Sequence, residues 1–254
     1  MKTRLAKFIA DSGIASRREA ERLIESGVVF VNGNRVDTPV FFIGSEDKVR
    51  VKDMPVRIRT GTRIFAFNKP TNTVTSARDP DGRKTIYDYL PEQLHGFKYV
   101  GRLDYKTTGL LLLTDDGDMA RKLTLPESKI IRTYMAKLRP DPATAKIRGG
   151  SGRLREFLSP LSSDDSIFDP LRNGIVIDGI RYAPMEIELL TRYPLSVKIS
   201  LREGKKNEIR IAFAHIGLSV SKLHRVSYGI VMLGDLPVGK FRELSKAEIK
   251  RILA

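Results

Sequence analysis

The sequence predicts an α+β protein in two parts, a small helix-and-hairpin unit followed by a larger one built on strands. Three observations carry this. The first fifty residues hold two short amphipathic stretches and an Asn32-Gly33 turn signal. A stretch from Lys52 to Thr60 contains Pro55 and few turn signals, and reads as a linker. Beyond it, the run Leu110-Leu111-Leu112-Leu113 is bounded by Gly109 and by Asp116-Gly117, the pattern of a strand buried on both faces and closed by a turn. The chain divides at 1–60 and 61–254, which suits a length of 254 residues.

In the first part Leu5, Phe8 and Ile9 have helical spacing, and Ser12-Gly13 ends that helix. Ser16 with Glu19 three positions on is a capping-box pattern for a second helix, in which Ala20, Leu23 and Ile24 face inward and Gly27 is the stop. Arg17 and Arg18 then project from a helix N-terminus, where the backbone itself favours phosphate. Val28 to Val31, a return from Val36, and Asp47 to Val51 read as short strands.

The second part opens with a strand at Ile64 to Phe67, then Asn68-Lys69-Pro70. A turn-rich loop, Asp79-Pro80-Asp81-Gly82-Arg83, precedes a short helix capped by Thr85. The segment Gly101-Arg102-Leu103-Asp104 before the leucine run must be a loop lying against a buried strand. On the residues alone, Asp104 between Arg102 and Lys106 fits either a working carboxylate or a solvated loop. A helix follows Gly117, and Ile130 to Leu138, with Arg132 and Tyr134, reads as a strand. Gly149 to Asp169 is rich in Gly, Ser, Asp and Pro and reads as a long, mobile surface loop or insertion. Ile175 to Ile177, Met185 to Leu190 and Ser196 to Leu201 resume the strand pattern. A basic block containing Lys205, Lys206 and Arg210 leads into an apolar helix from Ile211 to Ile216, followed by Leu218 to Tyr228 and a final helix.

Composition narrows the function. Lys and Arg number 45 against 30 Asp and Glu, a net charge of +15, which points to a polyanionic partner, nucleic acid before membrane. Residues 1–60 carry 12 basic and 8 acidic groups and the remainder 33 and 22, so the excess belongs to both parts. With no cysteine, disulfides and thiolate chemistry are excluded, and the three histidines, His95, His215 and His224, are too scattered in sequence to suggest a zinc motif. The start Met1-Lys2-Thr3-Arg4 lacks a signal-peptide core and no apolar run is long enough to span a bilayer, so the expected location is the cytoplasm.

The wording of several segments resembles a known family. Gly101-Arg102-Leu103-Asp104, then Thr-x-Gly-Leu-Leu-Leu-Leu-Thr and Asp-Gly, resembles the catalytic signature of the small-subunit-type rRNA pseudouridine synthases. Gly-Ile-Ala-Ser-Arg-Arg-Glu-Ala-Glu with Ile-x-x-Gly-x-Val-x-Val-Asn-Gly resembles the S4 RNA-binding domain. Lys69-Pro70, the Asp-Pro-x-Gly-Arg loop, Glu203-Gly204 through Arg210, and Leu223-x-Arg225-x-x-x-Gly229 are similar to further family segments. Three positions depart: Asn72 where relatives carry glycine, Arg132 for a lysine, and Ile211 for a second arginine.

The resemblance implies an S4-like domain and linker at 1–60. After it comes a pseudouridine synthase domain at 61–254, with a mixed, mostly antiparallel sheet flanked by helices. It implies that Asp104 is the essential carboxylate, that Arg210 pairs with it, that Tyr134 packs on the target base, and that Leu223 walls the pocket. Arg102 would fill the gap left by an extruded uridine. Arg17, Arg18, Arg83, Lys205, Lys206 and Arg225 would contact RNA. The partner implied is ribosomal RNA, 23S favoured over 16S, in an assembling subunit, with the protein a monomer off the membrane and needing no metal or cofactor. A non-catalytic, ribosome-associated S4 protein would not need Asp104, Tyr134 and Arg210 together. An RNA hydrolase would need a metal cluster or an acid/base pair, and neither is evident.

Overall fold

The computed structural model describes residues 2–57, 61–141, 150–159 and 164–253. At the N-terminus β1 (Thr3–Arg4) runs into α1 (Leu5–Asp11), which buries Leu5, Ala6, Ile9 and Ala10. Ser16 Oγ accepts the Glu19 amide at 3.3 Å and starts α2 (Arg17–Glu25), which buries Ala20 and Ile24. Then come β2 (Val29–Val31), β3 (Asn34–Val36), β4 (Phe42–Ile43), β5 (Val49–Val51) and β6 (Met54–Pro55). Asn32 and Gly33 both take positive φ, 52° and 85°, as a tight hairpin turn between β2 and β3 demands. The order β3-β2-β5-β6 makes a small sheet whose Val29, Val31 and Val51 pack on Leu5, Ile9 and Ile24. β6 falls inside the stretch expected to be a linker, whose last residues, 58–60, lie outside the described residues.

The larger unit follows in chain order. It contains β7 (Ile64–Lys69), β8 (Lys98–Val100), β9 (Thr108–Thr114), α3 (Gly117–Thr124), β10 (Arg132–Pro140), α4 (Gly150–Phe157) and α5 (Asp169–Arg172). Then come β11 (Ile175–Ile177), β12 (Ile180–Tyr182), β13 (Glu186–Arg192), β14 (Leu195–Leu201), α6 (Glu208–His215) and β15 (Leu218–Tyr228). The chain closes with β16 (Val231–Met232), β17 (Phe241–Glu243) and α7 (Lys246–Leu253). The central sheet runs β13-β14-β10-β15-β9-β7-β17, with β8 on β9 and β16 on β15. Every pairing in it is antiparallel except β15 with β9, so the sheet is mixed and mostly antiparallel as expected.

The leucine run explains the layering. Leu111 and Leu113 join one apolar core with Phe65 and Phe67, while Leu110 and Leu112 join a second with Ile64 and Ala66. Alternate residues of a strand face opposite ways, so four consecutive leucines mark a strand covered on both sides. Between the two units, Lys7 Nζ lies 2.6 Å from Asp11 and 2.9 Å from Asp118 at the start of α3. The two carboxylates raise the Lys7 pKa, mainly through the Asp11 hydrogen bond, and the Lys7 ammonium lowers that of Asp118.

Three local expectations are corrected. Asp116-Gly117 is not a hairpin turn; Asp116 caps α3, its carboxylate accepting the Asp118 and Met119 amides. The segment from Gly149 to Asp169 is not simply a surface loop. Where it is described it forms α4 and a short 3₁₀ turn, with Leu154, Phe157, Ile167 and Phe168 in the main core; residues 149 and 160–163 lie outside the described residues. The helix expected from Ile211 begins at Glu208, so Arg210 sits on α6 rather than in the loop before it.

Candidate active site

β9 fixes the loop that carries Asp104. Its parallel contact with β15 pairs Gly109 with Arg225, and a Cβ at Gly109 would stand 2.3 Å from the Arg225 carbonyl oxygen. Only glycine, here at φ +100°, allows that approach. The loop is then held from beneath. Lys69, fully buried at the end of β7, donates from Nζ to the carbonyls of Pro70 (3.1 Å), Asp104 (3.2 Å) and Thr107 (2.8 Å). Thr75 Oγ1 donates to the Leu103 carbonyl at 2.8 Å, and the Thr107 amide donates to the Asp104 carbonyl at 3.0 Å. The backbone of Asp104 is pinned while its side chain is exposed, with no hydrogen bond or ion pair to any described residue.

Asp104 opens onto a cavity of about 1000 Å3, and Tyr134, Arg210, Leu223, Lys205 and Lys206 line the same cavity. Tyr134 comes from β10 and Leu223 from β15, both largely buried, and Arg210 from α6. All four residues expected to do the chemistry therefore share one cleft. The expected Arg210–Asp104 pair is not formed: Arg210 Nη1 donates to the Val220 carbonyl at 2.6 Å, and no ion pair within 4.0 Å joins it to Asp104. With part of its fork taken by a strand carbonyl, the guanidinium is drawn toward β15.

The basic residues sort differently from expectation. Arg102 is exposed and lines the cleft, as do Lys205 and Lys206. Lys205 is also ion-paired with Glu203. Arg17 and Arg18 are exposed in the first turn of α2. Arg83 is engaged within its own loop, 2.6 Å from Asp79 and 2.8 Å from Asp81, and holds the Asp79 carboxyl down at about 2.

Arg225 corrects the expectation outright. It is 2% exposed and donates from Nε to the Leu110 carbonyl at 2.6 Å and from Nη1 to the Tyr134 hydroxyl at 3.4 Å. Its guanidinium also lies over the Tyr228 ring, 5.2 Å from the centroid. It is a buried brace behind Tyr134, not a surface contact for RNA. Its position was legible: on a strand, Leu223 and Arg225 must face the same way.

Other residues of the site carried no assigned role. Arg132 donates from Nη1 to the carbonyls of Arg202 (2.6 Å) and Glu203 (3.0 Å), tying β10 to the basic loop. Glu208, buried at the start of α6, accepts the Lys205 amide at 3.0 Å. Burial first, then the neighbouring Glu203, pushes its carboxyl up to about 7. Arg121 on α3 adds another cation to the cleft wall. Among the described residues no group of three or more His, Cys, Asp or Glu could hold a metal ion.

Comparison with known proteins agrees with this geometry. The family model described as RNA pseudouridylate synthase matches residues 63–215, and that of the S4 domain matches residues 3–49. An uncharacterized RNA pseudouridine synthase of Rickettsia bellii is 36% identical, covering 96% of this chain and 97% of the relative. The ribosomal large subunit pseudouridine synthase B of Bacillus subtilis is 34% identical over 99% of this chain and 96% of its own. A crystal structure of a pseudouridylate synthase superposes with a TM-score of 0.65 at 29% identity, covering 98% of this chain and 99% of that one. The chain belongs to the RNA pseudouridylate synthase family and carries an S4 domain at its N-terminus.

Proposed function

We propose that this protein converts one uridine of large-subunit (23S) ribosomal RNA to pseudouridine, with Asp104 as the essential carboxylate. The observation that carries the reading is the convergence of Asp104, Tyr134, Arg210 and Leu223 on one cavity from a loop, two strands and a helix. The large-subunit assignment is supported by the Bacillus subtilis relative's name and by full-length similarity to it.

The reaction is an isomerisation. The C1′–N1 bond breaks, the base turns, C1′ joins C5, the C5 proton leaves and N1 gains one. No electrons are transferred, and the cleft residues need only bind, orient and move protons. Asp104 carries the reactive carboxylate, Tyr134 stacks on the extruded base, and Leu223 walls the pocket. Arg102 fills the gap left in the RNA stack. Arg210, held by one nitrogen on Val220, keeps the rest of its fork to orient Asp104 once RNA fills the cleft. Arg17 and Arg18 take phosphates through the S4 domain, and Lys205 and Lys206 through the cleft rim. The protein acts as a monomer on an assembling ribosomal subunit in the cytoplasm.

The test is a carbodiimide primer-extension map of rRNA from cells lacking the gene, complemented with wild type or Asp104→Asn. One pseudouridine should vanish on deletion and return only with wild type. Restoration by Asp104→Asn would remove Asp104 from the chemistry, and an unchanged map would remove rRNA modification.

A further inference from the structure

The far end of the sheet carries a second hollow, of about 470 Å3, away from the catalytic cleft. Its walls come from Lys137 to Pro140 on β10, from Ser221 and Lys222 on β15, and from the β13–β14 turn at Arg192 to Leu195. Lys137, three positions past Tyr134, lies roughly 10 Å further along β10 and on the opposite face. Lys222 adjoins Leu223 of the cleft wall in the same way. The hollow shares no lining residue with the cleft.

Its chemistry is one-sided. Lys137, Arg139 and Lys222 are exposed, and no carboxylate residue lines the hollow among the described residues. None of the three joins any ion pair among the described residues. Lys137 pairs directly with Lys222 across the two strands. Like charges opposite one another destabilise a sheet, so this arrangement favours an anion set between them. The strand backbone beneath is fixed, Ser221 Oγ donating to the Lys137 carbonyl at 2.9 Å and Ser219 Oγ to that of Arg139 at 3.3 Å.

At the rim Tyr193 is 67% exposed, while its hydroxyl donates to the Leu158 carbonyl at 2.9 Å and fixes the ring. Arg192 beneath it is committed internally, to the carbonyls of Phe157 (2.6 Å) and Asp164 (2.9 Å), and supports the turn rather than a ligand. A fixed, exposed aromatic ring beside unpaired cations is the combination that binds an unpaired nucleotide, phosphate on charge and base on ring.

We propose that this hollow is a second contact site for substrate RNA, holding a backbone phosphate among Lys137, Arg139 and Lys222 and stacking an unpaired base on Tyr193. It rests on the RNA-modifying reading above and adds a site behind the cleft.

The test compares the full-length wild-type chain with a Lys137→Glu/Arg139→Glu/Lys222→Glu variant and with Tyr193→Ala. The neutral Lys137→Gln/Arg139→Gln/Lys222→Gln variant replaces the first if charge reversal lowers the melting temperature. The probes are a 23S rRNA transcript and a short stem-loop around the mapped uridine. For the transcript, the triple variant should lose affinity by about tenfold or more, with the log–log salt slope falling by about one. Tyr193→Ala should lose about fivefold or more. Stem-loop affinity and the single-turnover rate at saturating RNA should match wild type for both. Unchanged transcript affinity and salt slope in the triple variant would overturn the proposal, as would an equal loss on the stem-loop. Failure of wild type to modify either RNA would instead sink the functional reading, while the binding comparison still decides the hollow.

Discussion

Lys69 lies directly beneath Asp104 and holds the backbone, not the carboxylate: its Nζ donates to the Asp104 carbonyl at 3.2 Å and to those of Pro70 and Thr107 on either side. An ammonium has three hydrogens, and three carbonyls stand within normal reach here. Burial pulls the Lys69 pKa down to about 8, against the opposing pull of the Asp104 charge.

Replacing Lys69 by Met keeps the volume and removes all three bonds. We expect a loss of about 1–3 kcal/mol of stability from the buried carbonyls left unpaired. We also expect a fall of about tenfold to a hundredfold in single-turnover rate, because the loop no longer sets Asp104. RNA affinity should hold. The folded chain releases the Lys69 proton near pH 8 and the unfolded chain near 10.5, so the unfolded state binds more protons in between. The Lys69 contribution to unfolding free energy therefore rises with pH across that window. Melting curves from pH 7 to 10 check this; equal pH dependence in wild type and Lys69→Met would refute it.

Arg225 makes a different kind of prediction, because the sequence assigned it to RNA and the structure buries it behind Tyr134. Each phosphate contact adds about one to the log–log salt slope of RNA binding. Arg18→Ala should lower that slope by about one. Arg225→Leu should leave it unchanged while lowering the melting temperature and the single-turnover rate, since the Leu110 carbonyl and the Tyr134 hydroxyl both lose a donor. A reduced slope in Arg225→Leu would return it to the RNA surface.

Local patterns were the legible ones. The Ser16 cap, the Asn32-Gly33 hairpin and the leucine strand each need only neighbours in sequence, and each stands where it was expected. The cleft was legible as a set of residues because its motifs carry a family resemblance. What those motifs did not reveal is which groups meet across the chain. The targets of Lys69 include carbonyls about 35 residues away, and the partner of Arg225 is 91 residues back on β10. The Gly149–Asp169 segment misled for a compositional reason. Its Gly, Ser and Asp content outweighed Leu154, Phe157, Ile167 and Phe168, whose burial comes from packing against α6 and the sheet rather than from a regular period.

Glu208 gives the last prediction, since burial pushes its carboxyl up to about 7. Its raised folded pKa means the folded chain binds more protons than the unfolded one between about 4.5 and 7. Stability from this group is full below the unfolded value and is lost as pH rises through 7. A glutamine keeps the acceptor for the Lys205 amide and removes the charge. Glu208→Gln should therefore raise the melting temperature at pH 8, flatten its fall between pH 5 and 8, and leave turnover within about twofold of wild type. Should Glu208→Gln instead abolish turnover while melting at a higher temperature, the carboxylate would belong to the proton-moving groups of the cleft. Melting curves with a pH–rate profile separate the two outcomes.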